Sequence, residues 1–226
     1  MMIERPKAVF FDWDGTLVDS FAFLHGAHNH TRAQFGMEPF ALEVFEGYFG
    51  KPREQLYEDI YGRENIEAAK GHFENYVYAH HMDQLEPICG AQEVLDVFKT
   101  LEIPCGVVTN KKRALVEAEI AHYGWQDYFS SVVGAGEAEA DKPSSAPLLL
   151  GVERAGFDFA FSDIWYVGDT DNDLACANDA GVRSILILDQ PKAADLLAKY
   201  KVDLHQNNCG EFAGFLLQYG AEGLQK

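Results

Sequence analysis

From residue 91 to the C-terminal region, helical and strand-like patterns alternate, and that alternation limits what this 226-residue chain can fold into. Residues 91–101, 113–123, 144–155, 171–180, 192–200 and 209–219 read as helices. Between them lie short runs at 105–109, 131–134, 164–168, 183–188 and 202–204 that read as strands, bounded by turn residues. Strands separated by helices pair in parallel and are covered by helices on both faces, which makes the fold class α/β with a doubly wound, Rossmann-like parallel sheet. A further strand near the N-terminus, within the apolar run from Ala8 to Phe11, belongs to the same sheet.

Between that first strand and residue 88 the pattern changes. Residues 21–35, 41–48, 53–61 and 64–81 read as helices rich in aromatic side chains, with no strand among them. Asp19-Ser20 offers capping oxygens to the first of these helices, and Gly36 ends it. Ile66, Ala69, Phe73, Tyr76 and Val77 recur at helical spacing, the mark of a core stripe. Pro87 and Gly90 punctuate the return to the alternating pattern. The expected organisation is an α/β core of residues 1–20 and 87–226 with residues 21–86 inserted as a smaller all-helical domain. In an open parallel sheet, ligands bind at the carboxyl ends of the strands, where Asp12, Thr109 and Asp169 all fall.

Charge narrows the range of partners. With 36 acidic against 18 basic residues the formal charge is -18, which opposes binding to nucleic acid or an anionic membrane. The same field repels a phosphorylated substrate, so an anion site here needs a metal or a local cluster of cations. Cys89, Cys105, Cys176 and Cys209 show no Cys-x-x-Cys pairing, as expected of reduced thiols in a cytoplasmic protein. No apolar run precedes the first strand as a signal peptide would, and none approaches the ~20 residues of a membrane span.

The residues that carry chemistry lie at the strand ends. Asp12 and Asp14, one residue apart after a buried strand, repel one another and must be solvated, paired or bound to a cation. Alone, such a pair is as readily a solvated turn as a metal site. In Tyr166-Val167-Gly168-Asp169-Thr170-Asp171-Asn172-Asp173 the pattern is stronger: a hydrophobic strand, a Gly-Asp end, a second acid four residues on and a helix closed by Gly181. Mg²⁺ needs about six oxygen ligands and keeps several waters, so one or two carboxylates suffice, and Asp12 and Asp169 are the expected direct ligands. Asp171 is placed instead at the helix N-terminus, where negative charge is favourable.

The string Asp-Trp-Asp-Gly-Thr-Leu-Val-Asp-Ser at 12–20 resembles the first signature of the haloacid dehalogenase superfamily of aspartate-nucleophile phosphatases. By that resemblance, Thr109 and Asn110 form the second signature, Lys142 before Pro143 the third and residues 166–173 the fourth. The third departs from the usual pattern at Ser145, where related phosphatases often carry proline. The overall resemblance is to the phosphoglycolate phosphatase-like group, with residues 21–86 as the helical cap. It implies a Mg²⁺-dependent phosphatase acting on a small phosphorylated metabolite through an aspartyl-phosphate on Asp12. Asp14 then protonates the leaving group and contributes its backbone carbonyl to the metal, while Asp173 supports the metal site. Thr109, Asn110 and Lys142 bind the phosphoryl group.

Asp14 argues against the dehalogenase and phosphonatase branches, which need no acid there. A sugar phosphomutase uses the same carboxylate pair and remains an alternative, as does, less readily, an idle phosphate-binding module. Substrate choice is expected in the cap, where Lys51 and Arg53, in Gly50-Lys51-Pro52-Arg53, put two cations on a turn. His25, His28 and His30 are too irregularly spaced for a zinc set.

Overall fold

The computed structural model of the chain describes residues 3–48, 51 and 53–223. In chain order its elements are β1 (Ala8–Phe11), β2 (Val18–Asp19), α1 (Phe21–Gln34), α2 (Leu42–Glu46), α3 (Arg53–Tyr61), α4 (Ile66–Gln84), β3 (Glu86–Pro87), α5 (Ala91–Thr100), β4 (Cys105–Val108), α6 (Arg113–Tyr123), β5 (Phe129–Val133), α7 (Ala146–Arg154), β6 (Ile164–Gly168), α8 (Asp171–Ala180), β7 (Arg183–Ile187), α9 (Gln190–Lys199), β8 (Leu204–Gln206) and α10 (Cys209–Gly223). They divide into two compact units, Met1–Val18 with Pro87–Lys226, and Asp19–Glu86.

In the larger unit six strands form a parallel sheet in the order β5-β4-β1-β6-β7-β8, as the alternating pattern requires. Every residue of the central strand β1 is buried, which suits its unbroken apolar run. Successive side chains leave a strand on opposite faces. Phe10 accordingly shares a buried cluster with Leu148 and Val152 of α7 and Cys176 and Ala177 of α8. Phe11 meets Phe98 of α5 edge-on at 5.9 Å, and Phe98 continues to Trp165 of β6 and Phe212 of α10. From β1 the chain proceeds to β4 and β5 on one side of the sheet, then from β6 to β7 and β8 on the other. The direction therefore reverses between β1 and β6, and the crevice beyond their carboxyl ends is where such a sheet binds its ligand. The Asp12 N–H donates to Val167 O at 2.9 Å, tying the two strand ends together.

In the smaller unit, α1 and α3 pack on α4. Tyr57, Ile60, Tyr61 and Ala69 form its buried centre, flanked by Phe35, Phe40, Ile66 and Phe73. Ala69 and Val77 are buried on α4 and Tyr76 stacks on Phe23 at 6.0 Å, so the helical stripe is core, as its spacing suggests.

Some expectations change. Ser20 occupies the N-cap of α1 but makes no capping bond, and its Oγ is buried without a hydrogen-bond partner. Its ψ of -5° is the reason, because a capping side chain reaches back to the first turn from extended backbone. The paired strands β2 and β3 went unread because two residues are too few to show a period. Strand 131–134 is observed two residues earlier in its start, at Phe129–Val133, and helix 41–48 shortens to Leu42–Glu46. Gly50 and Pro52 lie outside the described residues.

Candidate active site

The backbone turns sharply after β1. Leu17 and Val18 both donate to Trp13 O at 3.0 Å, and Gly15 donates to Val18 O at 2.9 Å. Gly15 has φ +86°, and a Cβ there would meet Asp169 Oδ2 at 2.3 Å, so both backbone angle and space demand glycine. The turn places Thr16 to donate to Asp169 Oδ1 at 2.9 Å.

Two more segments complete the crevice. Beyond β4, Thr109 is buried and its Oγ1 accepts from the Lys111 N–H at 3.2 Å. The Asn110 amide makes reciprocal bonds of 3.0 Å with the Lys142 backbone, its Nδ2 donating to Lys142 O and its Oδ1 accepting from Lys142 N–H. Asn110, expected to bind phosphate, thus has its side chain engaged in holding the lysine loop. Lys142 is buried, and its Nζ donates to Asp12 Oδ1 at 2.7 Å and to Asp173 Oδ1 at 2.6 Å.

Asp173 belongs to the first turn of α8. Its Oδ2 accepts from the Thr170 N–H at 3.0 Å and from Thr170 Oγ1 at 2.6 Å, an arrangement that satisfies free donors at the helix start. The Tyr166 hydroxyl stands 3.2 Å from Asp173 Oδ1 and donates to Val108 O at 2.8 Å. Gly168 permits this approach, since a Cβ there would lie 2.4 Å from Asp173 Cβ.

Asp12, Asp169 and Asp173 each bring a carboxylate oxygen within 4.8 Å of the others, the one such acidic, His or Cys cluster among the described residues. Burial, with Asp173 and Asp14 adding to it, raises Asp12 to about 6 against the pull of Lys142. Burial and the charges of Asp173 and Asp12 push Asp169 well above the ordinary carboxylate range. For Asp173, burial acts upward but is outweighed by Lys142 and the Thr170 bonds, so this acid is held below its usual value. Lys142 keeps its proton despite burial because two carboxylates face it.

These directions show a site short of positive charge: three buried carboxylates share one ammonium, and two resist ionisation. Asp12 Oδ2 and Asp169 Oδ2 accept no hydrogen bond from the described residues. Hard oxygen donors with free lone pairs fit a divalent cation. Both oxygens of Asp173 are occupied, which fits support of such an ion better than direct ligation. Asp171 stands apart, half-buried at the start of α8 and 3.6 Å from Lys199, as its position predicts.

The residues expected to choose substrate lie in the smaller unit, where each has a partner of its own. Lys51 pairs with Asp59 at 2.7 Å, and Arg53, the first residue of α3, with Glu74 at 2.6 Å. His28 is buried against Tyr61, with 2.7 Å from its Nδ1 to the Tyr61 hydroxyl; His25 bonds Phe40 O, and His30 lies against Tyr76.

Sequence reasoning missed a second buried lysine. Lys111 Nζ donates to Asp14 Oδ1 at 3.0 Å and to Glu119 Oε2 at 2.8 Å, and Trp13 Nε1 donates to the same Glu119 oxygen at 2.5 Å. A signal was available, because Glu119 interrupts the apolar face formed by Leu115, Val116 and Ile120 on α6.

Residues 9–187 match the family of haloacid dehalogenase-like hydrolases. A phosphoglycolate phosphatase of Neisseria meningitidis is 34% identical over 192 residues, covering 81% of this chain and 80% of its own. The pyrophosphatase PpaX of Bacillus velezensis is 27% identical over 90% of this chain and 93% of its own. Among solved structures, a haloacid dehalogenase-like hydrolase of Bacteroides fragilis superposes with a TM-score of 0.84 at 19% identity, over 92% of this chain and all of that one. The chain belongs to the haloacid dehalogenase-like hydrolase family, and it is an enzyme of phosphatase type. Among the described residues, no helix is long and apolar enough to cross a membrane.

Proposed function

We propose that the chain hydrolyses a small phosphate monoester, of the class represented by 2-phosphoglycolate, with Mg²⁺ and through an aspartyl-phosphate on Asp12. The observation that carries this reading is the hold on two neighbouring carboxylates. Asp12 is fixed at one oxygen by Lys142 and has no hydrogen-bond donor among the described residues at the other, while two residues on Asp14 is held at one oxygen by Lys111. One carboxylate is thereby presented as a nucleophile and the other as an acid. The phosphoglycolate phosphatase named for the Neisseria relative supports the substrate class.

In this reading a carboxylate oxygen of Asp12 attacks phosphorus, the phosphorus–ester oxygen bond breaks, and the departing alkoxide takes the proton of Asp14. Water then attacks the phosphorus of the aspartyl-phosphate, giving its proton to Asp14 as the bond to Asp12 breaks and inorganic phosphate leaves. Lys142 keeps a positive charge beside the transferred group, and Thr109, at the end of β4, offers it a hydroxyl. Asn110 acts through Lys142 by fixing that residue's backbone. Asp12, Asp169 and the Asp14 backbone carbonyl would hold Mg²⁺, supported by Asp173. When bound, the ion supplies positive charge that offsets the developing charge on the phosphoryl oxygens. The helical unit is assigned as the cap that selects the substrate, in keeping with the family resemblance, with Lys51 and Arg53 its candidate anion contacts.

Asp12→Asn tests the assignment, because an amide of equal size is a poor nucleophile. Phosphate release from 2-phosphoglycolate with Mg²⁺ should fall by at least about a hundredfold while the melting temperature is retained. Retention of a tenth or more of the wild-type rate removes Asp12 from this role. Isomerisation of a hexose 1-phosphate without phosphate release would favour the mutase reading instead.

A further inference from the structure

Buried on α6, Glu119 sits where a folding requirement alone favours an apolar side chain. Its neighbours on that face are Leu115, Val116 and Ile120, and its own side chain is 1% exposed. A buried ion pair gives little or no net stability over well-packed hydrophobic residues, since desolvating two charges consumes what their attraction returns. What such a pair does supply is a fixed position for its charges.

Glu119 fixes two things. Its Oε2 accepts from Lys111 Nζ and from the indole N–H of Trp13, the residue between the two strand-end aspartates. Lys111 Nζ, itself 6% exposed, then reaches Asp14 Oδ1 at 3.0 Å. One buried oxygen therefore anchors both the backbone segment that carries Asp14 and the ammonium that grips its side chain. Lys111 gives Asp14 its only side-chain hydrogen bond among the described residues, and leaves Oδ2 without a donor among them. A carboxyl group that must hand a proton to a leaving oxygen, then take one from water, needs one oxygen free and the other restrained.

We propose that Lys111, anchored by Glu119 and Trp13, is the positioning residue for Asp14, aligning its free oxygen for proton transfer. The assignment rests on the reading of Asp14 as the acid. Lys111 acts through Asp14 and is distinct in task from Lys142, which faces Asp12 and Asp173.

The test compares the leaving-group dependence of Lys111→Met and Glu119→Gln with that of Asp14→Asn, using 2-phosphoglycolate, whose alkoxide needs a proton, and p-nitrophenyl phosphate, whose leaving group needs little help. Lys111→Met should lower kcat for the alkyl ester by about thirtyfold or more, and for the aryl ester by no more than about threefold, with KM for either moving less than about threefold. Glu119→Gln keeps an acceptor for Trp13 and should give a smaller shift of the same sign. In an Asp14→Asn background, Lys111→Met should add less than about a twofold further loss, since residues acting as one unit are not additive. Should Lys111→Met fail to fold, the double variant Lys111→Met/Glu119→Gln, which removes both buried charges, takes its place.

Equal loss of kcat on both esters, a rise in KM with kcat unchanged, or full additivity with Asp14→Asn overturns the positioning role. If Asp14→Asn itself leaves the alkyl-to-aryl ratio unaltered, the acid assignment fails and the proposal falls with it. If Asp14→Asn shifts the ratio and the Lys111 and Glu119 variants do not, only the positioning role is lost.

Discussion

Lys142 satisfies two buried carboxylates at once, and a point charge on a flexible stem is suited to that in a way a planar guanidinium is not. Removing it does more than remove the charge proposed to act in catalysis. Lys142→Met leaves Asp12 and Asp173 buried without their cation, a change that destabilises by about 3–5 kcal/mol when one partner of a buried pair is lost. Denaturant unfolding of the metal-free protein should show this loss, and Lys142→Met/Asp173→Asn should recover part of it without recovering activity. An unchanged midpoint for Lys142→Met would mean that the carboxylates are solvated and that the buried pairing is not maintained in solution. His28 gives a second prediction at this scale. Burial, followed by the charges of His25 and Arg53, lowers it from 6.5 to about 3. Between those values the unfolded chain binds the proton and the folded one does not, so stability falls as pH falls through that window and is complete above it. The loss attributable to His28 should reach roughly 2 kcal/mol by pH 5. His28→Phe should flatten the fall in melting temperature between pH 7 and pH 5, and an identical slope in the variant would mean that His28 is protonated in the folded state.

The elements around the site show why some of it could be read from the chain and some could not. Strands β1, β4 and β6 are short apolar runs bounded by turn residues, and the acids and hydroxyl that follow them need no knowledge of partners to be placed at strand ends. Helix α8 was equally legible, because Asp171, Asp173 and Gly181 are local start and stop signals. By contrast, Lys111, Glu119 and Trp13 meet across three separate segments, 106 residues separating Trp13 from Glu119, and no local period reveals such a contact. Ser20 failed as a cap for the same reason, its backbone angle being set by the chain's path rather than by the residue's preference. Gly168 joins the two levels, since a strand end must pass close to the helix that follows it. Gly168→Ala puts a methyl 2.4 Å from Asp173 Cβ, so α8 must shift and loosen the bonds from Lys142 and Thr170. Activity should fall by at least about tenfold with the secondary structure retained, because misplacing the groups of the proposed site by about 1 Å is costly. Wild-type kcat in Gly168→Ala would show that the strand–helix junction can move without disturbing the site.

At the scale of the molecule, the charge of -18 and the site tell one story. An acidic surface repels a phosphate ester, and neither buried lysine of the larger unit's crevice is free to attract one, since Lys142 faces Asp12 and Asp173 while Lys111 faces Asp14 and Glu119. In the proposed reading a bound cation supplies the missing positive charge, between Asp12 and Asp169, whose carboxyls burial and neighbouring acids push upward. Binding should then appear in the folding equilibrium, because the unfolded chain scatters these carboxylates. At about a hundredfold excess of Mg²⁺ over its Kd, linkage supplies roughly 2.7 kcal/mol if the unfolded state does not bind. Chelation should therefore lower the melting temperature of the wild type, and Mg²⁺ should restore it in a saturable way. Asp169→Asn removes one carboxylate from the cluster while keeping an acceptor for Thr16, so the metal-free variant should melt at or above the metal-free wild type, yet respond far less to Mg²⁺. Equal Mg²⁺ shifts in the two proteins would place the ion elsewhere on the acidic surface and remove Asp169 from the ligand set.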